Sequence, residues 1–454
     1  MTTDSYLAPS ALDVSGGTAA DLTLATALGR TPAGDVWHPT FFTGFAARPD
    51  VTAAGLLAVA DVAASRYADL GLAKRLANLD PVVTASGDRL RFESFSADNG
   101  VYARFDLLPD GIDSGEVGFG TTNVDINPPL RAALASVPRG ELLHLAVGSE
   151  ELRVSTPADS HAERKVPLPD RWVRGFAETP RLARTAAPAM ELTGRSVATF
   201  LGSLPRASSG PGQDIHLLAV GPVPRVVPAQ VPGAVPLFGS RRLEAARRVA
   251  RFATRLTVSV SEHGTTAWRF EVPGGALTLL LTPSAWRGFS GEGSLLELLT
   301  HPAAERVGRS LLGHLAWEPQ VDPEALAAAT DHDLSEIDAG LAWLSASGRM
   351  GYDIEASRWF HRELPVDADR ILRDNPRLRS ARKITGLRPD GDGWQVPGDH
   401  GTYRVSRLAD GVVERWACTC PWEEEHHGTR GPCKHVLAVV LAQQSAEHQP
   451  VHAD

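Results

Sequence analysis

Trp416-Ala417-Cys418-Thr419-Cys420-Pro421-Trp422, followed after a loop by Gly431-Pro432-Cys433-Lys434-His435, carries the clearest chemistry in this 454-residue chain. The spacing is Cys-x-Cys, twelve residues, then Cys-x-His. Residues i and i+2 of an extended segment point to one side, so Cys418 and Cys420 face a single ion. Upstream, Tyr403–Arg407 and Val412–Trp416 alternate around Asp410-Gly411, the pattern of a hairpin. Downstream, Val436–Gln443 is a helix-compatible apolar run that places Cys433 and His435 at a helix N-terminus. The spacing therefore predicts a β-β-α unit. Three thiolates and one neutral imidazole form a closed tetrahedral set for one structural Zn²⁺, and soft sulfur disfavours Mg²⁺ or Ca²⁺. Four protein ligands leave no position for a reactive water. Around a +2 ion the set keeps a charge near −1, which Arg415, Arg430 and Lys434 soften. His426 and His427, next to Glu423-Glu424-Glu425, are rival ligands, although a solvated loop is the simpler account of them.

These three cysteines are all the chain has, which rules out a distributed disulfide framework and points to a reducing compartment. Met1–Gly17 has no basic n-region and no apolar h-region. The longest apolar runs, near Ala276–Leu281 and Val436–Ala442, are well short of the roughly 20 residues of a membrane span. A soluble, cytoplasmic protein without membrane association is expected. The 45 basic and 54 acidic residues give a net charge of −9, which argues against a whole-surface field attracting nucleic acid. Only four of the basic residues are lysine (74, 165, 383 and 434), and alanine is abundant, a bias that points to a GC-rich bacterial genome.

The fold class expected is α+β, in a chain of several segments. Residues 1–85 read as a helical N-terminal region, with Val51–Leu72 at helical spacing. Residues 86–202 read as an α+β unit. It opens with a hairpin (Leu90, Phe92, Phe95, then Val101, Ala103, Phe105) and closes with a helix from Pro169 to Leu192. Seven prolines and four glycines between 203 and 236 predict a linker over 203–237. A second α+β unit, 238–300, starts with a basic helix Arg241–Arg255, followed by three strands. Trp172-Val173-Arg174-Gly175-Phe176 and Trp286-Arg287-Gly288-Phe289 hint at a weak repeat between the two units. Residues 301–365 give three helices and a hairpin, a winged-helix-like module, with Ser335 and Asp338 resembling a capping box for the third helix. A basic connecting segment (366–395), the finger (396–445) and a tail (446–454) complete the chain.

The cysteine pattern resembles the SWIM-type zinc finger of bacterial proteins, on Cys418-Thr419-Cys420-Pro421-Trp422 and Gly431-Pro432-Cys433-Lys434-His435-Val436-Leu437-Ala438. The resemblance carries the metal roles onto Cys418, Cys420, Cys433 and His435. Thr282-Pro283-Ser284-Ala285-Trp286-Arg287-Gly288-Phe289 is similar to the same proteins less specifically. The resemblance implies an interaction module contacting DNA or protein. It also implies a multi-protein assembly with a MoxR-type AAA+ ATPase and a von Willebrand factor A-type protein as partners. The triple Glu of the loop is out of keeping with phosphate contact there.

Charge separates the two kinds of partner. Residues 322–346 hold Asp322, Glu324, Asp331, Asp333, Glu336 and Asp338 and no Lys or Arg, so a groove-entering third helix would meet phosphate with like charge. Against this stand Arg241, Arg242, Arg247, Arg248, Arg251 and Arg255, and the arm Arg370, Arg373, Arg377, Arg379, Arg382, Lys383 and Arg388, which with Lys434 are the candidates for DNA or RNA contact. Solvated faces pairing with the many carboxylates explain both stretches more simply. Gly118-Phe119-Gly120 lacks the third glycine of a dinucleotide loop, and Gly288-Phe289-Ser290-Gly291-Glu292 lacks the final glycine of a nucleophile elbow. No catalytic residues are assigned. The expectation is a non-enzymatic zinc-binding adaptor, with a nucleic-acid-binding regulator as the alternative.

Overall fold

A computed structural model describes residues 40–67, 81–123, 126–148, 151–156, 160–164, 168–206, 210–285, 288–289, 295–364, 371, 375–408, 415–427 and 431–447, with the short segments 11–13, 21–23, 29–31 and 34–36. The fold is α+β, as the alternation of periods 3.6 and 2 implies.

Eight antiparallel strands form the main sheet, in the order Phe119–Asn123, Val82–Ser86, Leu90–Phe95, Val101–Leu107, Gly275–Leu281, Thr266–Val272, Arg255–Val260, Ala187–Thr193. Strands from both sides of 203–237 thus share one sheet, joined where Val101–Leu107 pairs with Gly275–Leu281 and where Ala187–Thr193 pairs with Arg255–Val260. Five further strands make a second sheet, ordered Ser160–Arg164, Glu151–Ser155, His144–Gly148, Thr40–Ala46, Ile112–Val117. The helix Pro49–Ala64 contributes to the core that both sheets build, and every residue from Pro49 to Ala63 except Asp61 is buried. Its alanines suit burial on all sides. At Gly55 a Cβ would fall 2.3 Å from the Phe105 ring, so glycine lets the helix approach the sheet.

Segment 203–237 is more ordered than its composition suggests. Three strands pair there, in the order Arg225–Val227, Ile215–Leu218, Ala234–Leu237. Pro222, Pro224, Pro228 and Pro232 lie outside the strands, while Pro236 sits in an edge strand, where a missing N–H is tolerated. The expected helix Pro169–Leu192 stops at Ala183, and Ala187–Thr193 becomes the edge strand of the main sheet. Its register shifts between Pro188 and Met190, where proline offers no ladder hydrogen. The expected helix Arg241–Arg255 is a 3₁₀ segment, Ser240–Arg248, and Arg255 opens a strand. The two Gly-Phe corners converge: the Phe176 and Phe289 rings lie 4.9 and 5.4 Å from that of Phe95. Trp286 and Arg287 lie outside the described residues.

The winged-helix-like elements are present: helices Ala304–Leu311, Pro323–Ala329 and Leu334–Ala346, then the hairpin Met350–Asp353 with Arg358–His361. Asp333, not Ser335, caps the third helix, accepting from the Glu336 amide at 2.9 Å. That helix is buried at Ile337 and from Ala339 to Ala346. The hairpin covers charged side chains of the main sheet. Arg104 reaches Asp106 at 2.8 Å and Asp353 at 3.2 Å, and Arg91 lies 3.6 Å from each of the same two carboxylates. Arg362 donates to Glu93 at 2.7 Å, and the Tyr102 hydroxyl donates to the other Glu93 oxygen at 2.7 Å.

Candidate metal centre

The finger is larger than β-β-α. Four antiparallel strands follow one another in order: Arg388–Asp390, Gly393–Gly398, Gly401–Leu408 and Arg415–Cys418. The expected connecting segment 366–395 therefore contributes the first strand and the start of the second, together with the helix Pro376–Ala381. Residues 409–414, the expected hairpin tip, lie outside the described residues. Cys418 ends the last strand opposite Val405. Cys420 precedes the short helix Pro421–His426, favoured by proline at its first position and by Glu423 and Glu424 in its first turn. Its carbonyl accepts from the amides of both glutamates.

Cys433 and His435 flank the start of the helix Lys434–Glu447. The stretch Val436–Ala442 of this helix is apolar all round because it packs two ways. Val436 and Val439 join the cysteines, Val396 and Val405 in a small core, while Leu437 and Ala438 enter the core shared with the winged-helix-like elements.

Cys418, Cys420, Cys433 and His435 are all buried, with one donor atom from each within 4.8 Å of the others. His435 presents Nδ1 to the sulfurs, 3.7 Å from Cys418 Sγ and 3.9 Å from Cys433 Sγ. Zinc bonds of about 2.3 Å to sulfur and about 2.0 Å to nitrogen separate tetrahedral donors by roughly 3.5–3.8 Å, so the set fits one zinc ion. Tyr403 lies against the imidazole, ring centroids 4.7 Å apart. Behind it, a Cβ at Gly398 would come 2.8 Å from His435 Nε2, so glycine is needed for the ring to seat. Neither His426 nor His427 belongs to the set: His426 packs edge-on against Trp422 at 4.3 Å, and His427 is exposed in a left-handed turn with φ 46°.

A hydrogen bond from the Cys418 thiol holds Cys433 well below the usual thiol range, and the same bond together with burial pushes Cys418 far above it. Burial also pushes Cys420 up. Thiol protons at Cys418 and Cys420 must then leave for a metal to bind. Zinc affinity is accordingly expected to rise with pH through neutrality, with proton release measurable by calorimetry in buffers of different ionisation enthalpy. Equal affinity at pH 6 and pH 8 would contradict this.

The candidate nucleic-acid residues divide. Arg370 and Arg373 lie outside the described residues. Arg379, Arg382 and Lys383 are exposed on and just after the helix Pro376–Ala381, and Arg388 is exposed at the start of the finger sheet. Lys434 pairs with Asp399. Arg377 is turned inward, onto Trp422 and the carbonyls of Gly431 and Pro432. In the other basic stretch, Arg241 pairs with Glu244, Arg248 with Asp61, and Arg255 with Glu191 and Glu271. Arg242 is fully buried, donating to the carbonyls of Phe238, Thr282 and Gly100, and burial pushes its pKa down to about 10.

One further cluster has no signature in the sequence. Ser310 Oγ is 3.2 Å from His332 Nε2, and His332 Nδ1 is 3.2 Å from Glu336. The Ser310 hydroxyl also donates to the Val307 carbonyl of its own helix at 2.9 Å, and Arg306 binds the second Glu336 oxygen. The links tie neighbouring helices together at the surface.

A closed Cys₃His set on a small sheet-and-helix module defines a structural zinc finger. Residues 403–444 match the family model for the SWIM zinc finger, so the chain carries a SWIM-type finger at its C-terminal end. No curated protein matches the chain in sequence. Among solved structures it is similar to proliferating cellular nuclear antigen from Entamoeba histolytica, at 11% identity and TM-score 0.36, covering 54% of this chain and 99% of that one. It is also similar to the PCNA2–PCNA3 complex from Sulfolobus tokodaii, at 10% identity and TM-score 0.39, with the same coverage. At these scores the likeness carries no argument about function.

Proposed function

We propose that the protein is a bacterial, cytoplasmic, non-enzymatic adaptor whose zinc finger and winged-helix-like elements serve contacts with other proteins. The observation that carries this reading is the closed, buried Cys₃His set, which leaves a metal no reactive position. Burial of Ile337 and of Ala339–Ala346 in the third winged-helix-like helix supports it further, because the body of that helix has no free face to lay in a groove. Val220, Val226 and Val231, exposed on and around the three-stranded sheet at 215–237, offer apolar surface to a partner. Among the described residues, no helix is long and apolar enough to cross a membrane. A MoxR-type AAA+ ATPase and a von Willebrand factor A-type protein are the partners to test, on the family resemblance alone.

A second reading, nucleic-acid binding, draws on the exposed Arg379, Arg382, Lys383 and Arg388 beside the finger. The two readings separate in a titration with duplex DNA and RNA from 25 to 300 mM salt. An adaptor gives no binding at the low-salt end. Steeply salt-dependent binding that weakens in the triple variant Arg379→Ala, Arg382→Ala, Lys383→Ala would replace the adaptor reading with the second one.

A further inference from the structure

The residues holding the metal come from two places separated by a loop: Cys418 and Cys420 before it, Cys433 and His435 after it. The helix Pro376–Ala381 supplies one side chain that touches both. Arg377 Nη1 donates to the Pro432 carbonyl at 2.8 Å and to the Gly431 carbonyl at 3.3 Å. The guanidinium carbon lies 4.5 Å from the centroid of the Trp422 ring. Pro432 immediately precedes Cys433, and Trp422 stands two residues after Cys420.

We propose that Arg377, which lies outside the residues matching the finger family, is a positioning residue of the zinc site, clamping the two ends of the loop so that the four donors converge. Three properties suit arginine to the place. One guanidinium nitrogen donates to two carbonyls while the guanidinium lies over an indole, which the point charge of lysine does not do together. Its charge stands beside a set that stays near −1 when zinc is bound. The helix that carries it is itself anchored: Leu378 and Ala381 are buried in the core that also takes Leu437 and Ala438 from the helix after His435. Arg379 and Arg382, exposed around the same helix, serve as internal controls.

This inference rests on the zinc reading, and the test keeps the two apart. Zinc affinity of the full chain is measured by competition with a chromophoric chelator, and site geometry by the thiolate-to-metal absorption of the Co²⁺-substituted protein. Arg377→Ala is expected to lose about 10–100-fold in affinity, the range typical when a group supporting metal ligands is removed. Arg377→Lys should recover only part of this, with an altered Co²⁺ spectrum, while Arg379→Ala and Arg382→Ala stay at the wild-type value. Should Arg377→Ala lose the fold of the finger, Arg377→Lys decides: wild-type affinity and spectrum overturn the clamp, reduced affinity supports it. Arg377→Ala at wild-type affinity overturns it outright. A wild-type chain that takes up no zinc defeats the zinc reading instead.

Discussion

Stripping zinc from the full chain, or replacing Cys433 by Ser, is expected to unfold the finger while the N-terminal body stays folded. Beyond the ligands themselves, the fully buried apolar residues of the finger's own core are, among the described residues, Val396, Val405, Val436 and Val439, with half-buried Ile384, Leu387, Trp394, Tyr403, Trp416, Trp422 and Val440 packed against them. So small a core cannot offset the conformational entropy of ordering four strands and a loop. Apparent zinc-binding energies in small fingers are on the order of 10–16 kcal/mol at neutral pH, larger than the whole stability of most domains. The ion is therefore the main stabilising term of this module. The body's cores are built mainly on the two sheets and on the helices between 170 and 346, with Leu437 and Ala438 of the finger helix joining the second of them. Wild-type chain should carry about one zinc, and Cys433→Ser none. Limited trypsinolysis of the variant should cut at Arg404, Arg407 and Arg415 and leave a stable N-terminal fragment. An unchanged digestion pattern after complete zinc removal would show that packing alone holds the finger.

Replacing Asp353 by Ala is the second large effect, and it acts on the body. Asp353 is buried between Arg104, at 3.2 Å, and Arg91, at 3.6 Å, with Arg89 at 3.7 Å. Removing it leaves two buried guanidiniums with Asp106 as the carboxylate they share, beside neutral acceptors at Ser86 and the Tyr352 carbonyl. Breaking a buried ion pair from one side costs about 3–5 kcal/mol, because the remaining charge is neither solvated nor neutralised. The loss should appear as a lowered urea midpoint, and Asp353→Asn, which keeps the volume but not the charge, should share most of it. A midpoint equal to wild type for both variants would refute the assignment.

The same site sets an acid dependence. Burial pushes the Asp353 carboxyl up, but Arg104 and Arg91 outweigh it and hold the group well below the usual carboxylate range. A depressed folded-state pKa contributes stability above the unfolded value of about 3.9 and loses it as pH falls through the folded value. Wild-type stability should thus decline below about pH 4, and the Asp353→Asn variant should lack this contribution to the decline. Asp106 behaves oppositely: burial raises its pKa, with Arg104 offsetting only part, so it takes up its proton first on acidification.

The zinc site was legible because its geometry is local. Cys418 and Cys420 share one side of an extended chain, and Cys433 and His435 sit at a helix start, so spacing alone brings each pair together. The strands Leu90–Phe95 and Gly275–Leu281 were legible through their apolar pattern. The first two strands of the finger sheet carry little strand signal, because Arg388–Asp390 and Gly393–Gly398 are rich in Gly, Pro and polar residues. Ala187–Thr193 holds Ala, Met, Glu and Leu, which favour helices, and pairing with Arg255–Val260 overrides that preference.

The metal and its four ligands, the α+β class and the C-terminal end of the third winged-helix-like helix at Ala346 were thus legible from sequence, while the cap of that helix lies at Asp333, two residues before the expected Ser335. The sequence by itself did not determine where the charges lie. Arg91, Glu93, Arg104 and Asp106 alternate with apolar residues, as on a strand with one face in water. Each is buried, because a hairpin about 250 residues further along the chain brings Asp353 and Arg362 onto that face. Arg377 likewise reads as one more cation in a basic arm, until the fold sets it between Trp422 and Pro432. The physical reason is the same in both places. A ligand pair two residues apart is fixed by backbone geometry, whereas whether a charge meets water, phosphate or a buried partner depends on which distant segment packs over it.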